Sequence, residues 1–86
     1  MPADFIRFVL LRFLASARPG AIAQDTLLAR ANRVLTPPLE AADLMQHLAW
    51  LLDRHFAGFV PDPLDPGRLA ARQWHLCAAG AALLRP

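Results

Sequence analysis

The chain has 86 residues, 56% of them hydrophobic, which is enough apolar material for one small domain with a single core. Its nine basic residues, all arginine, only slightly outnumber the acidic ones and leave a net charge of +2. So small a surplus does not by itself indicate a nucleic-acid-binding protein, because such proteins need clustered positive charge. The single cysteine, Cys77, excludes an internal disulfide and is interpreted as a buried structural thiol in a reducing compartment.

Neither a signal peptide nor a membrane span is predicted. Asp4 and Arg7 interrupt the apolar N-terminal residues, and no apolar run approaches the length needed to cross a bilayer. We therefore expect a cytoplasmic protein without a membrane partner.

The first predicted helix covers residues 4–17 and ends at Arg18-Pro19-Gly20. Its core-facing stripe consists of five apolar residues, namely Ile6, Val9, Leu10, Phe13 and Ala17. Phe8 and Leu11 fall on the far side of the helix and Phe5 lies at the margin. Packing of one helix face on the core therefore cannot bury these three side chains as well. We predict that Phe5, Phe8 and Leu11 form an interaction surface that a symmetric homodimer buries. The alternative is that the C-terminal tail or the hairpin of the same chain covers them.

A short linker over residues 20–23, with room for a few strand residues, leads to the second predicted helix, residues 24–34. Four of its apolar residues are expected to face inward, namely Leu27, Leu28, Ala31 and Val34. Arg30 and Arg33 lie in its last turns, where positive charge is favourable for the helix dipole.

The central helix is predicted over residues 36–56, because Pro37 and Pro38 fit a first helical turn and Gly58 supplies a left-handed stop. Its apolar stripe comprises Ala41, Leu44, Met45, Leu48, Leu51, Leu52 and His55. Trp50 falls among polar residues on the other face. Either a neighbouring element of the same chain covers Trp50, or it anchors a partner or a second subunit.

Two strands are predicted after the central helix. Residues 58–60 form the first, and the alternation over residues 72–77 places Trp74 and Leu76 on one face of the second. The segment between them is rich in Pro, Asp and Gly and is expected to be a loop carrying Arg68. Residues 78–84 are expected to form a last short helix or an ordered tail that packs on the first helix.

This order predicts a single domain over residues 1–86, mainly α with a small β-hairpin. It is the order of a winged helix-turn-helix domain, with three helices and a two- or three-stranded wing. Three segments resemble the small winged-helix proteins of Mu-like phages and prophages: Leu27-Leu28, Leu48-Ala49-Trp50-Leu51 and Gly58-Phe59-Val60. The ending Leu76-Cys77-Ala78-Ala79-Gly80 is similar to that of many winged-helix domains. The resemblance implies a winged helix and a phage or prophage origin, and it brings no defined activity.

A winged helix that reads double-stranded DNA places its third helix in the major groove and its wing against the backbone. The candidate DNA-binding residues are Arg30, Arg33, Gln46, His47, Arg54, Arg68 and Arg72. Glu40 and Asp43 oppose this function, because they bring negative charge to the turn that would approach phosphate. The alternative is a protein-interaction or dimerisation module that uses Phe5, Phe8, Leu11 and Trp50.

No enzymatic activity, cofactor or small-molecule substrate is predicted. His47 and His55 fall on different faces of the central helix, and His75 has no cysteine or carboxylate at metal-ligand spacing. Ser16 and Cys77 lack an identifiable base, and the sequence contains no glycine-rich phosphate loop.

Overall fold

The computed structural model describes residues 2–85. The helices are α1 (Ala3–Ala17), α2 (Gln24–Ala31), α3 (Ala41–Asp53) and α4 (Ala78–Leu83), and a 3-10 turn covers Leu69–Ala71. The strands are β1 (Ile22–Ala23), β2 (Ala57–Val60) and β3 (Gln73–Leu76). The prediction of a mainly helical domain with a small sheet is therefore confirmed.

The three strands form one antiparallel sheet in the order β1-β3-β2. Trp74 of β3 lies opposite Ile22 on one side and Phe59 on the other, so the linker before α2 contributes the third strand. Trp74 and Leu76 are buried, as the alternation in the sequence predicts, whereas His75 points to the other face of the sheet and is only half-buried.

The core lies where the three long helices meet the sheet. Leucines dominate it because they fill space in well-defined rotamers, and burial of each one stabilises the fold by about 1.5–3 kcal/mol. The largest fully buried side chains are Trp74, Leu10, Leu14, Leu27, Leu44, Leu48 and Leu51.

The central helix begins later than predicted, at Ala41 rather than in Thr36-Pro37-Pro38. Each proline disfavours helical backbone in the residue before it, so the two prolines extend the connection instead of starting the helix. Asn32 fixes this connection. Its side-chain oxygen accepts the Leu39 N–H at 2.7 Å, and its side-chain nitrogen donates to the Leu39 carbonyl at 3.0 Å.

A capping box then starts α3. The backbone N–H of Glu40 donates to the Asp43 carboxylate at 3.3 Å, and the Glu40 side chain accepts the N–H of Asp43 in return. The two acidic residues therefore satisfy amide groups that the helix itself leaves without partners.

The helix also ends differently from the prediction, because His55 rather than Gly58 adopts the left-handed conformation, with φ 61°. The Phe56 N–H donates to the Leu51 carbonyl at 2.9 Å and the His55 N–H donates to Leu52 at 3.0 Å, which is a Schellman ending. Gly58 lies within β2 instead. A Cβ atom at Gly58 would approach the His75 ring to 2.9 Å, so its small size serves a close cross-strand contact.

Four expected inward positions, Val34, Ala41, Leu52 and His55, prove to be exposed. The helix α2 ends at Ala31, so Val34 lies in the following turn and is 55% exposed. Leu52 lies in α3 and His55 lies just after its end, and both are exposed although their spacing placed them on the apolar stripe. At this end of α3 the chain leaves the core for the sheet.

Candidate nucleic-acid interface and apolar surface

The solvent-facing side of α3 carries few groups that could read a base. Its exposed residues include Ala42, Asp43, Gln46, Ala49 and Asp53. Gln46 is the neutral polar side chain among these five, and it can both donate to and accept from an adenine edge. This face of α3 therefore has few side chains that could distinguish one base pair from another.

Three of the predicted arginines are exposed on the helix-turn-helix unit and on the loop before β3. Arg30 lies in the last turn of α2 and Arg33 lies in the turn that follows, while Arg68 immediately precedes the 3-10 turn. Within residues 2–85, none of the three forms an ion pair. Their guanidinium groups are therefore available to an external anion.

The 3-10 turn before β3 packs against α2 and faces the N-terminal half of α3 across a hollow. Leu69 and Ala70 line a hollow of about 300 Å³ together with residues of both helices of the helix-turn-helix unit, namely Gln24, Asp25, Leu28, Ala41, Leu44 and Met45. Arg68 immediately precedes Leu69 in the chain and is exposed.

Two other predicted arginines are held by aromatic rings. The Arg54 guanidinium carbon lies 3.9 Å from the centre of the Trp50 ring, and the Arg72 guanidinium carbon lies 4.2 Å from that of Phe59. A stacked guanidinium keeps its in-plane N–H donors, so it can still bind a phosphate at its edge.

Trp50 is covered by its own chain. Arg7 from α1 stacks on it at 4.0 Å, in addition to Arg54, and the Phe56 ring centre lies 6.0 Å away. Two guanidiniums cannot both occupy one face of the indole at these distances, so they occupy opposite faces. For the two faces of the Trp50 ring, coverage by the same chain is therefore the alternative that the structure supports, while the residue as a whole is half-buried. The role of Arg7 was not predicted, since an arginine on the far side of α1 carries no sequence signal for stacking.

His47 lies beside this stack and is half-buried. Its Nδ1 atom is buried and has no hydrogen-bond partner within residues 2–85. Burial lowers the pKa of His47 below its ordinary value of 6.5, and the charge of Arg7 lowers it further, while Asp43 acts in the opposite direction. The folded protein therefore favours the neutral form of the His47 ring.

This depressed pKa predicts a loss of stability on acidification. Between the ordinary and the lowered pKa of His47, the unfolded chain binds a proton that the folded chain does not, so the free energy of unfolding falls as the pH falls below about 6.5. His47→Gln should flatten this dependence in urea unfolding measured across that range. His55→Gln, on an exposed residue just after the same helix, is the matched control. Equal slopes for His47→Gln and the unmodified protein would contradict the prediction.

The predicted apolar surface of α1 is only partly exposed. Phe5 is 47% exposed and Phe8 is 50% exposed, whereas Leu11 is only 4% exposed, and its prediction as a surface residue is wrong. Leu11 borders a hollow with Leu83 and Leu84, which belong to the C-terminal segment. Coverage of Leu11 by the C-terminal tail is thus the correct alternative for this residue, and the expected packing of that segment on α1 is confirmed.

Within residues 2–85, no group of three or more His, Cys, Asp or Glu side chains is arranged to hold a metal ion. Among the helices of the same residues, none is long and apolar enough to cross a bilayer.

Three helices, of which the second and third form a helix-turn-helix unit, precede a β-hairpin that pairs with a short strand between α1 and α2. These features define a winged helix-turn-helix domain, as predicted.

The domain is similar to the PcaV transcriptional regulator from Streptomyces coelicolor, whose crystal structure contains its natural ligand. The TM-score is 0.69 at 21% sequence identity, over 90% of this chain and 47% of that one. The chain thus spans about half the length of this regulator, and the likeness shows a shared fold. No protein-family model matches the sequence, and no curated protein is significantly similar to it.

Proposed function

We propose that this protein is a DNA-binding domain of the transcription-regulator type that acts on double-stranded DNA. The observation that carries the proposal is the set of exposed arginines on the helix-turn-helix unit and the loop before β3, namely Arg30, Arg33 and Arg68, which have no ion-pair partner within residues 2–85. The winged-helix fold supports it, because this fold presents its third helix to the major groove.

In this proposal the arginines bind phosphate and Gln46 contacts a base edge. Arg54 and Arg72 add contacts through the edges of their stacked guanidiniums, and the half-buried His47, next to Gln46 in the chain, lies at the margin of this surface. Glu40 and Asp43 cap α3 and also repel phosphate. We therefore expect weak binding that depends mostly on the backbone of the DNA, with a Kd on the order of 10⁻⁴–10⁻⁶ M.

Fluorescence anisotropy on a random duplex tests this function. The logarithm of the binding constant should fall linearly with the logarithm of salt concentration, because each phosphate contact releases counterions. The double variant Arg30→Gln/Arg33→Gln should reduce the steepness of this slope by about two, and Arg68→Gln by about one.

Arg85→Gln provides a control with the same loss of charge. Arg85 is exposed and follows α4, on the side of the molecule where α4 packs against α1. It should leave the slope unchanged. Absence of binding by the unmodified protein at low salt would reject DNA binding, and an equal effect of Arg85→Gln would reject the assigned interface.

A second candidate function is a protein-interaction or dimerisation module built on the same fold. It is favoured by the exposure of Phe5 and Phe8 on α1, since half-exposed aromatic side chains on one helix are typical of a contact surface. In this role the protein forms a homodimer. The edge of the Trp50 ring, which its two stacked arginines leave uncovered, then belongs to the contact surface.

The resemblance to small winged-helix proteins of Mu-like phages suggests a phage or prophage origin for either function. It depends on the Leu27-Leu28, Leu48-Ala49-Trp50-Leu51 and Gly58-Phe59-Val60 segments. Phage structural or regulatory genes beside the coding sequence would support this origin, and housekeeping neighbours in several genomes would contradict it.

A further inference from the structure

The exposed stripe of α1 combines charge and apolar surface in one row. Asp4, Phe5, Phe8, Arg12 and Ser16 are all exposed, while the residues between them turn toward the protein or lie at its margin. Residues 4, 8, 12 and 16 form a single ridge of the kind that packs into the groove of another helix, because side chains four apart lie one above the other.

Phe8 stands between two hollows. The larger, about 370 Å³, is lined by Phe8, Val9, Arg12, Phe13, Ser16 and Val34, and the smaller, about 160 Å³, also borders Phe8. A cavity of about 150 Å³ in another protein holds a benzene molecule, so the larger hollow has room for an aromatic ring. A projecting ring and a receiving hollow therefore lie next to each other on the same helix. A two-fold symmetric contact requires this kind of self-complementary surface.

The charges on the ridge are placed symmetrically about Phe8. Asp4 precedes Phe8 by four residues and Arg12 follows it by four, which is about 6 Å along the helix axis in each direction. Arg12 forms no ion pair within residues 2–85, and the Asp4 side chain is 97% exposed, with only a 4.0 Å contact to Arg7. Antiparallel copies of α1 would bring each Asp4 to the other copy's Arg12. Parallel copies would instead bring like charges together.

We infer that two copies of this chain associate through antiparallel packing of their α1 helices about a two-fold axis at Phe8. The Phe8 rings meet side by side at this axis, each at the edge of the larger hollow that it lines, Phe5 extends the apolar contact, and reciprocal Asp4–Arg12 pairs fix the direction and register of the helices. The inference rests on the second function proposed above, for which it specifies the partner and the surface. It does not depend on DNA binding.

Sedimentation velocity over a micromolar to millimolar concentration series tests the apolar part. The unmodified protein should show a concentration-dependent dimer, and Phe8→Glu should raise its dissociation constant by about a hundredfold, because the substitution acts twice in a symmetric contact. Leu64→Glu is the control, since Leu64 is 94% exposed in the loop after β2 and lies outside the proposed contact. Circular dichroism establishes that each variant is folded.

The charge pattern tests the geometry. Asp4→Arg and Arg12→Asp should each weaken the dimer by about tenfold, because each change sets like charges against one another at both ends of the contact. The double variant Asp4→Arg/Arg12→Asp should restore the dimer.

A monomeric unmodified protein at every concentration would overturn both this inference and the dimerisation role. A dimer that withstands Phe8→Glu, or one that the double variant fails to restore, would overturn the α1 geometry and leave dimerisation standing.

Discussion

Replacement of Gly80 by alanine is expected to lower the free energy of unfolding by about 3 kcal/mol. Gly80 is buried in α4, and a Cβ atom there would overlap the carbonyl oxygen of Phe56 and approach Leu76 Cδ1 to 2.8 Å. The Phe56 carbonyl also accepts the Cys77 N–H at 3.0 Å, so it cannot move away without disturbing the start of α4. Overpacking of this kind costs about 1–3 kcal/mol, and more where backbone atoms must shift.

The sign of the change in stability distinguishes the steric contact at Gly80 from the helix propensity of alanine. Glycine-to-alanine substitution inside a helix normally stabilises it by about 1 kcal/mol, so only the steric contact can produce a loss. Differential scanning calorimetry should show a fall in Tm of more than about 10 °C. Gly67→Ala is the matched control, because the atom nearest to its added Cβ is 4.0 Å away, and it should leave Tm nearly unchanged. A Gly80→Ala protein as stable as the unmodified one would contradict the packing described here.

The helical core was predictable because its residues follow the helical period. In α1 and α3 the buried leucines recur three or four positions apart, and in β3 alternate residues are buried, so each pattern implies one face. The ends of α3 were predicted less well. Glycine and proline suggested Gly58 and Thr36-Pro37-Pro38, whereas the capping box and a left-handed His55 set the ends. The Glu40-x-x-Asp43 spacing was the available signal for the start.

The exposed surface was harder to predict, because the spacing of residues in one helix does not show which of them a distant segment of the chain covers. Leu11 looked exposed on a helical wheel, yet the C-terminal segment covers it, and Trp50 looked exposed until Arg7 and Arg54 stacked on it. The coverage of Leu11 and the stacking of Arg7 on Trp50 join parts of the chain far apart in sequence, whereas the stacking of Arg54 follows from its position four residues after Trp50. The functions assigned to Arg30, Arg33, Gln46 and Arg68 stay predictions, because the position of an exposed residue does not identify what it binds.

Loss of the hydrogen bond between Gln24 and Trp74 is expected to cost about 2 kcal/mol. The Trp74 Nε1–H donates to the Gln24 side-chain oxygen at 3.0 Å, and the two residues are 2% and 5% exposed. The backbone N–H of Gln24 also donates to the Arg72 carbonyl at 2.8 Å, so the first residue of α2 is bonded both to β3 and to the residue just before it. These bonds connect the helix-turn-helix unit to the wing, and their loss should loosen one against the other.

A double-mutant cycle in urea unfolding measures this interaction. Gln24→Leu leaves the indole N–H buried without a partner, and Trp74→Phe likewise leaves the Gln24 side-chain amide buried without its partner. Each substitution should therefore lower the free energy of unfolding by about 2 kcal/mol. The double variant Gln24→Leu/Trp74→Phe leaves neither polar group behind and should lose about 1 kcal/mol less than the sum of the single losses. Strictly additive losses would mean that the two side chains act independently, and the hydrogen bond would then contribute nothing to holding the wing on the helices.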